Sequence, residues 1–229
     1  MPEPFTIDVS GTESVSGLLY RAATTERVGV TLLLGHGAGA NQTHRLMVHF
    51  ASGLASRGID TATFNFLYTE QRRSAPDRGE KLEACYRAAI ATVRQITELK
   101  GNALMIGGKS MGGRIGSQVA AEGLDDVSGL VFLGYPLHPP GKPEQLRSKH
   151  FGRIGMPMLF IQGSRDSFGT PDELRPIIEE SGIRATLYEV EGGDHSFKVP
   201  KRSPVTQEQV YENVMDDIAR WIAAIVNPG

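Results

Sequence analysis

The chain has one cysteine, Cys85, in 229 residues, which excludes an intrachain disulfide and fits a reducing compartment. Long apolar runs are also missing. No segment approaches the roughly 20 apolar residues of a membrane-spanning helix, and the first 17 residues carry Glu3, Asp8 and Glu13 where a signal peptide would have its apolar stretch. A cytoplasmic location without membrane attachment is expected. Neither sign of charge is in excess, with 24 Lys and Arg against 26 Asp and Glu, so neither nucleic acid nor a membrane is indicated as a partner. There is no cysteine pair and no His-x-x-x-His spacing, so no metal and no cofactor are implied. The absence of internal repeats, low-complexity stretches and long linkers leaves residues 1–229 as one expected domain.

What the chain does have is glycine at the ends of its apolar runs. Val28–Gly35, Asn102–Gly107, Val127–Gly134 and Met158–Gly163 are apolar on both faces and stop at glycine, the pattern of interior strands in a parallel sheet. Ile59–Phe66 and Ala185–Val190 read as further strands, while Phe5–Val9 and Val15–Ala22 alternate as an edge hairpin does. Helical spacing fills the gaps. It appears over Arg45–Arg57 and in the stripe Leu82, Cys85, Ala89, Val93 and Ile96, where Cys85 is expected to be a buried thiol. At the end of the chain Thr206 and Gln209 form a capping box ahead of Val210, Val214, Ile218, Trp221 and Ile225. The alternation predicts an α/β fold: a doubly wound, mostly parallel sheet flanked by helices.

Ligands of such sheets bind beyond the carboxyl ends of the strands. There the chain places Gly108-Lys109-Ser110-Met111-Gly112 between a strand and a helix, a serine on a sharp turn that only small neighbours permit. The same Gly-Lys-Ser occurs in phosphate-binding loops, but those need a glycine at position 103, which is Ala103. After Gly35 comes His36-Gly37-Ala38-Gly39-Ala40; the N–H of Ala38, with that of Met111, is expected to form an oxyanion hole. Asp166 follows Gly163, and His195 lies in a glycine-rich loop past the last strand. Asp172 is the weaker acid because Thr170-Pro171-Asp172-Glu173 reads as a helix start. His44, His49 and His150 read as surface or helix-face residues. The chain order Ser110, Asp166, His195 is that of an α/β-hydrolase triad: nucleophile, orienting acid and general base.

With these residues in place the chain resembles the α/β-hydrolases, and among them the small, lidless, dienelactone-hydrolase-like kind. The elbow string, Gly134-Tyr135-Pro136-Leu137-His138-Pro139-Pro140, Phe160-Ile161-Gln162-Gly163-Ser164-Arg165-Asp166 and Asp194-His195-Ser196-Phe197 are similar to the branch holding the testis-expressed protein 30 homologues and the hydrolase-like subunit of the NSL histone acetyltransferase complex. The resemblance implies the fold and the triad positions, and admits a binding or scaffold role with little turnover as the alternative. The reading is a serine hydrolase of a small ester, thioester or related acyl substrate, acting as a monomer or small homo-oligomer with an open site. His36, Lys109, Tyr135, His138 and Arg72 are the candidate substrate contacts. Arg72, Arg73 and Arg78, with Lys109, raise the expectation of an anionic substrate.

Overall fold

The structure is a computed structural model and describes residues 1–124 and 126–227. The elements follow in the order β1 (Glu3–Asp8), β2 (Ser14–Tyr20), β3 (Val30–Gly35), α1 (Arg45–Ala55), β4 (Asp60–Phe64), α2 (Leu67–Glu70), α3 (Gly79–Gln95), β5 (Ala103–Lys109), α4 (Met111–Ala120), β6 (Gly129–Leu133), β7 (Met158–Gly163), α5 (Pro171–Ser181), β8 (Ala185–Val190) and α6 (Gln207–Val226). One eight-stranded sheet runs β1-β2-β4-β3-β5-β6-β7-β8. The β1–β2 hairpin is antiparallel and joins β4 antiparallel, and every pairing from β4 to β8 is parallel. The expected doubly wound α/β sheet is therefore what forms. No described helix is long and apolar enough to cross a membrane.

Alternation along each interior strand feeds two cores. Leu33, Ile106 and Phe132 point to the layer of α3 and α4, where Tyr86, Ala89, Ile115 and Val119 meet them. Leu32, Leu34, Met105 and Val131 point the other way, onto Phe50 of α1 and Val214, Met215 and Ile218 of α6. Both faces of these strands are covered, which is why they read as unbroken apolar runs. The outer strand β8 differs, since only Val190 is buried there. Cys85 packs inside α3, and burial pushes its thiol up to about 12.

The terminal helix carries its capping box, with Thr206 accepting from the Gln209 amide. Thr170 and Glu173 form another at the start of α5, and there Asp172 lies, within the first turn and exposed to solvent. Parallel pairing sets Gly35 against Gly108, Lys109 against Leu133 and Gly163 against Val190, so the strand ends make one rim. The connection 134–157 over it contains a single 3₁₀ turn, Phe151–Arg153, and there is no large lid.

Candidate active site

The turn from β5 into α4 holds Ser110 at φ 51°, ψ −114°, a left-handed conformation that costs a non-glycine residue about 1–3 kcal/mol. Its neighbours maintain it. The Ser110 N–H donates to Leu133 O at 3.2 Å, and Ser110 O accepts from Arg114 N at 3.0 Å. A Cβ on Gly108, at φ +150°, would lie 2.2 Å from Gly35 O, and one on Gly112 would lie 2.1 Å from the same atom. Strand β3 and helix α4 thus approach at backbone distance, and side chains on either glycine would push the turn away.

Ser110, His195 and Asp166 meet at the rim. His195 Nε2 is 2.8 Å from Ser110 Oγ, and His195 Nδ1 is 2.7 Å from Asp166 Oδ2. A carboxylate only accepts, so Nδ1 carries the proton and Nε2 faces the hydroxyl as the acceptor. Asp166 is fixed on every side: Oδ1 accepts from Phe168 N at 2.8 Å, and Oδ2 also accepts from Gln162 Nε2 at 2.8 Å. Gln162 in turn receives the Tyr135 N–H and donates to Gly169 O. The Phe168 ring lies against the imidazole, with centroids 4.2 Å apart. Gln162 and Phe168 were not singled out from the sequence, although a glutamine inside an apolar strand is a signal that something polar must satisfy it.

Gly37 packs beside Ser110 and brings the loop after β3 to the elbow. Ala38 and Met111 both line the cleft above Ser110, and the amide of neither donates to an acceptor among the described residues. The cleft has a volume of about 600 Å³. Its walls include Met47 and Leu82 as well as Lys109, Arg114, Arg147, Asp77 and Phe168.

Four of the five expected substrate contacts lie elsewhere. His36 is wholly buried; its Nδ1–H donates to Gly37 O at 2.9 Å and its Nε2 accepts from Phe66 N at 3.2 Å. Burial pushes it down to about 4, so it stays neutral and ties the Gly37 loop to the end of β4. Tyr135 is also fully buried, donating its hydroxyl to Arg147 O at 2.7 Å. His138 sits outside the cleft, between Pro139 O and Glu173. Arg72 is exposed beyond the cleft walls, and its neighbour Arg73 is paired with Asp77 at 2.6 Å. Nor is His150 a surface residue: it is buried against Ser117 Oγ at 2.7 Å, and burial pushes it down to about 4.

Lys109 does reach the cleft. It is 7% exposed, and Nζ makes no hydrogen bond. Burial pushes it down to about 7, against the pull of Asp166 and Asp194. Burial also lowers the His195 pKa; the bond to Asp166 opposes this and the charge of Lys109 adds to it. Below pH 7 Lys109 is charged and disfavours the imidazolium. Lys109→Met removes that repulsion, so the His195 pKa rises and the acidic limb of a kcat/KM profile is expected to move to higher pH. An unmoved limb, or one moved to lower pH, would show that the ammonium is not felt at the imidazole.

A family profile described as an alpha/beta hydrolase domain matches residues 28–223. The chain belongs to the alpha/beta hydrolase family. Solved structures share the fold of this family member at low identity. An alpha-beta serine hydrolase homologue from Coxiella burnetii superposes with a TM-score of 0.75 at 17% identity, covering 96% of this chain and 97% of that one. A lidless α/β serine hydrolase from Xanthomonas campestris gives 0.74 at 18%, with 96% and 94% covered. A dienelactone hydrolase from Anabaena variabilis gives 0.72 at 18%, with 98% of both chains covered.

Proposed function

We propose that the protein is a serine hydrolase that cleaves a small ester, thioester or related acyl bond through an acyl-enzyme. The observation that carries this reading is the unbroken line from Ser110 Oγ through the His195 ring to Asp166 Oδ2, at 2.8 and 2.7 Å, opening into the cleft. Ser110 Oγ bonds to the acyl carbon as its proton passes to His195 Nε2. Asp166 keeps the ring in register and stabilises the imidazolium. The N–H groups of Ala38 and Met111 receive the tetrahedral oxyanion, each lowering the barrier by about 3 kcal/mol. Nε2 then returns its proton to the leaving alcohol or thiol. A water gives a proton to the same nitrogen and bonds to the acyl carbon; as the Oγ–acyl bond breaks, Nε2 passes that proton to Ser110 Oγ, the acid leaves and Ser110 is regenerated. None of these steps draws on a cofactor.

The narrower likeness to the testis-expressed protein 30 and NSL-subunit branch belongs to the same proposal and rests on the strings around Ser110, Tyr135, Asp166 and His195. Labelling with a fluorophosphonate, read by intact mass, tests the whole reading. The wild type is expected to gain one phosphonyl group with loss of fluoride, and Ser110→Ala none. A wild type that resists both the probe and a panel of short-chain esters, thioesters, lactones and amides would make this a hydrolase-shaped binding protein.

A further inference from the structure

Arg114 and Arg147 are the arginines on the wall of the cleft that contains Ser110. Arg27, Arg57, Arg73 and Arg175 each reach a carboxylate. Arg114 and Arg147 form no ion pair among the described residues, and both line the cleft that contains Ser110. Arg114 lies in the first turn of α4, just after Ser110, and faces the same cleft. Its one side-chain partner is Gln118 Oε1, at 3.0 Å. Arg147 is delivered from the connection 134–157, whose backbone is fixed around it. Its N–H donates to Leu137 O at 2.8 Å and its carbonyl accepts from the Tyr135 hydroxyl at 2.7 Å, while Nη1 makes only a long contact of 3.4 Å to Pro136 O.

A guanidinium offers five N–H donors in a planar fork, and most of these ten have no acceptor among the described residues. Burial lowers the Arg114 pKa and the nearby charge of Arg147 adds to this, while Tyr135 and, from a distance, Glu83 oppose it. The one acid on the cleft wall, Asp77, is already held by Arg73. Lys109, charged below about pH 7, also lines the cleft. Two half-buried, unpaired forks beside a nucleophile make a favourable seat for a planar anion.

We propose that Arg114 and Arg147 bind a carboxylate carried by the substrate, so that the preferred substrates are half-esters or half-thioesters of dicarboxylic acids. The proposal rests on the hydrolase reading for its chemistry, but binding tests it separately. The kinetic test compares 4-nitrophenyl half-esters of malonic, succinic, glutaric and adipic acids with 4-nitrophenyl butyrate. The kcat/KM ratio of the best half-ester to butyrate is expected to exceed tenfold and to fall at least tenfold in Arg114→Gln and in Arg147→Gln. Arg147→Lys is expected to keep part of the ratio, and Arg72→Gln, outside the cleft, all of it. A wild-type ratio of one or below, or a ratio unmoved in both glutamine variants, overturns the proposal. If none of these esters is hydrolysed, the fluorophosphonate and the wider acyl panel decide the hydrolase reading, and calorimetry on Ser110→Ala decides the subsite separately. Tighter binding of monomethyl glutarate than of methyl butyrate, lost on adding Arg147→Gln, supports it; equal binding or none overturns it.

Discussion

Ser110→Ala is expected to lower kcat/KM for any ester the protein turns over by about ten-thousand-fold or more, while leaving the fold intact. The side-chain oxygen makes one hydrogen bond, to His195 Nε2, and alanine is strained by the positive φ no more than serine is. What remains in the variant is binding and the two backbone donors, which together leave a small residual rate over water. Asp166→Asn should approach the same loss, because an amide at position 166 can present N–H to His195 Nδ1 and reverse the tautomer that the 2.7 Å bond selects. The double variant should be little worse than Ser110→Ala alone, since residues that act as a unit are not additive. Steady-state rates on 4-nitrophenyl esters measure this. A loss below tenfold in Ser110→Ala would mean that water attacks without a serine intermediate, and the acyl-enzyme would have to be abandoned.

Gly112→Ala is expected to destabilise the protein by about 3 kcal/mol or more, the upper range for overpacking a rigid interior. The added carbon would lie 2.1 Å from Gly35 O, 2.3 Å from Gly35 C and 2.8 Å from Gly35 Cα. These are backbone atoms of an interior strand, and no rotamer change relieves them. Helix α4 must lift from β3, taking the Met111 amide and the Ser110 turn with it, so activity should fall as well. For a chain of this size the change corresponds to a fall in Tm of roughly 10 °C. Gly155→Ala is the matched control, because nothing lies within 4 Å of its added carbon; it should shift Tm by about 1 °C. Thermal unfolding of the two variants side by side measures the difference, and equal Tm values would remove the crowding account.

The strands and the residues Ser110, Asp166 and His195 could be picked out in the sequence because each is marked locally, by a glycine-terminated apolar run or by small residues that permit a tight turn. Direction is what such marks lack. His36, Tyr135 and His138 follow the same strand ends, yet the alternation of the backbone turns His36 and Tyr135 inward, and Glu173 draws His138 aside. Arg72 is marked in the sequence by standing in a cluster, while the cleft is lined by arginines that stand alone. Arg114 had a readable signal in its four-residue spacing from Ser110. Arg147 had none, since its position depends on how a long connection folds over β6 and β7.

The sheet does not protect its three delivered side chains equally. Ser110 and Asp166 follow β5 and β7, which have neighbours on both sides, whereas the loop bearing His195 hangs from β8, a border strand with one partner and one buried residue. Any opening that begins at that border would reach the proton carrier before the nucleophile or the acid.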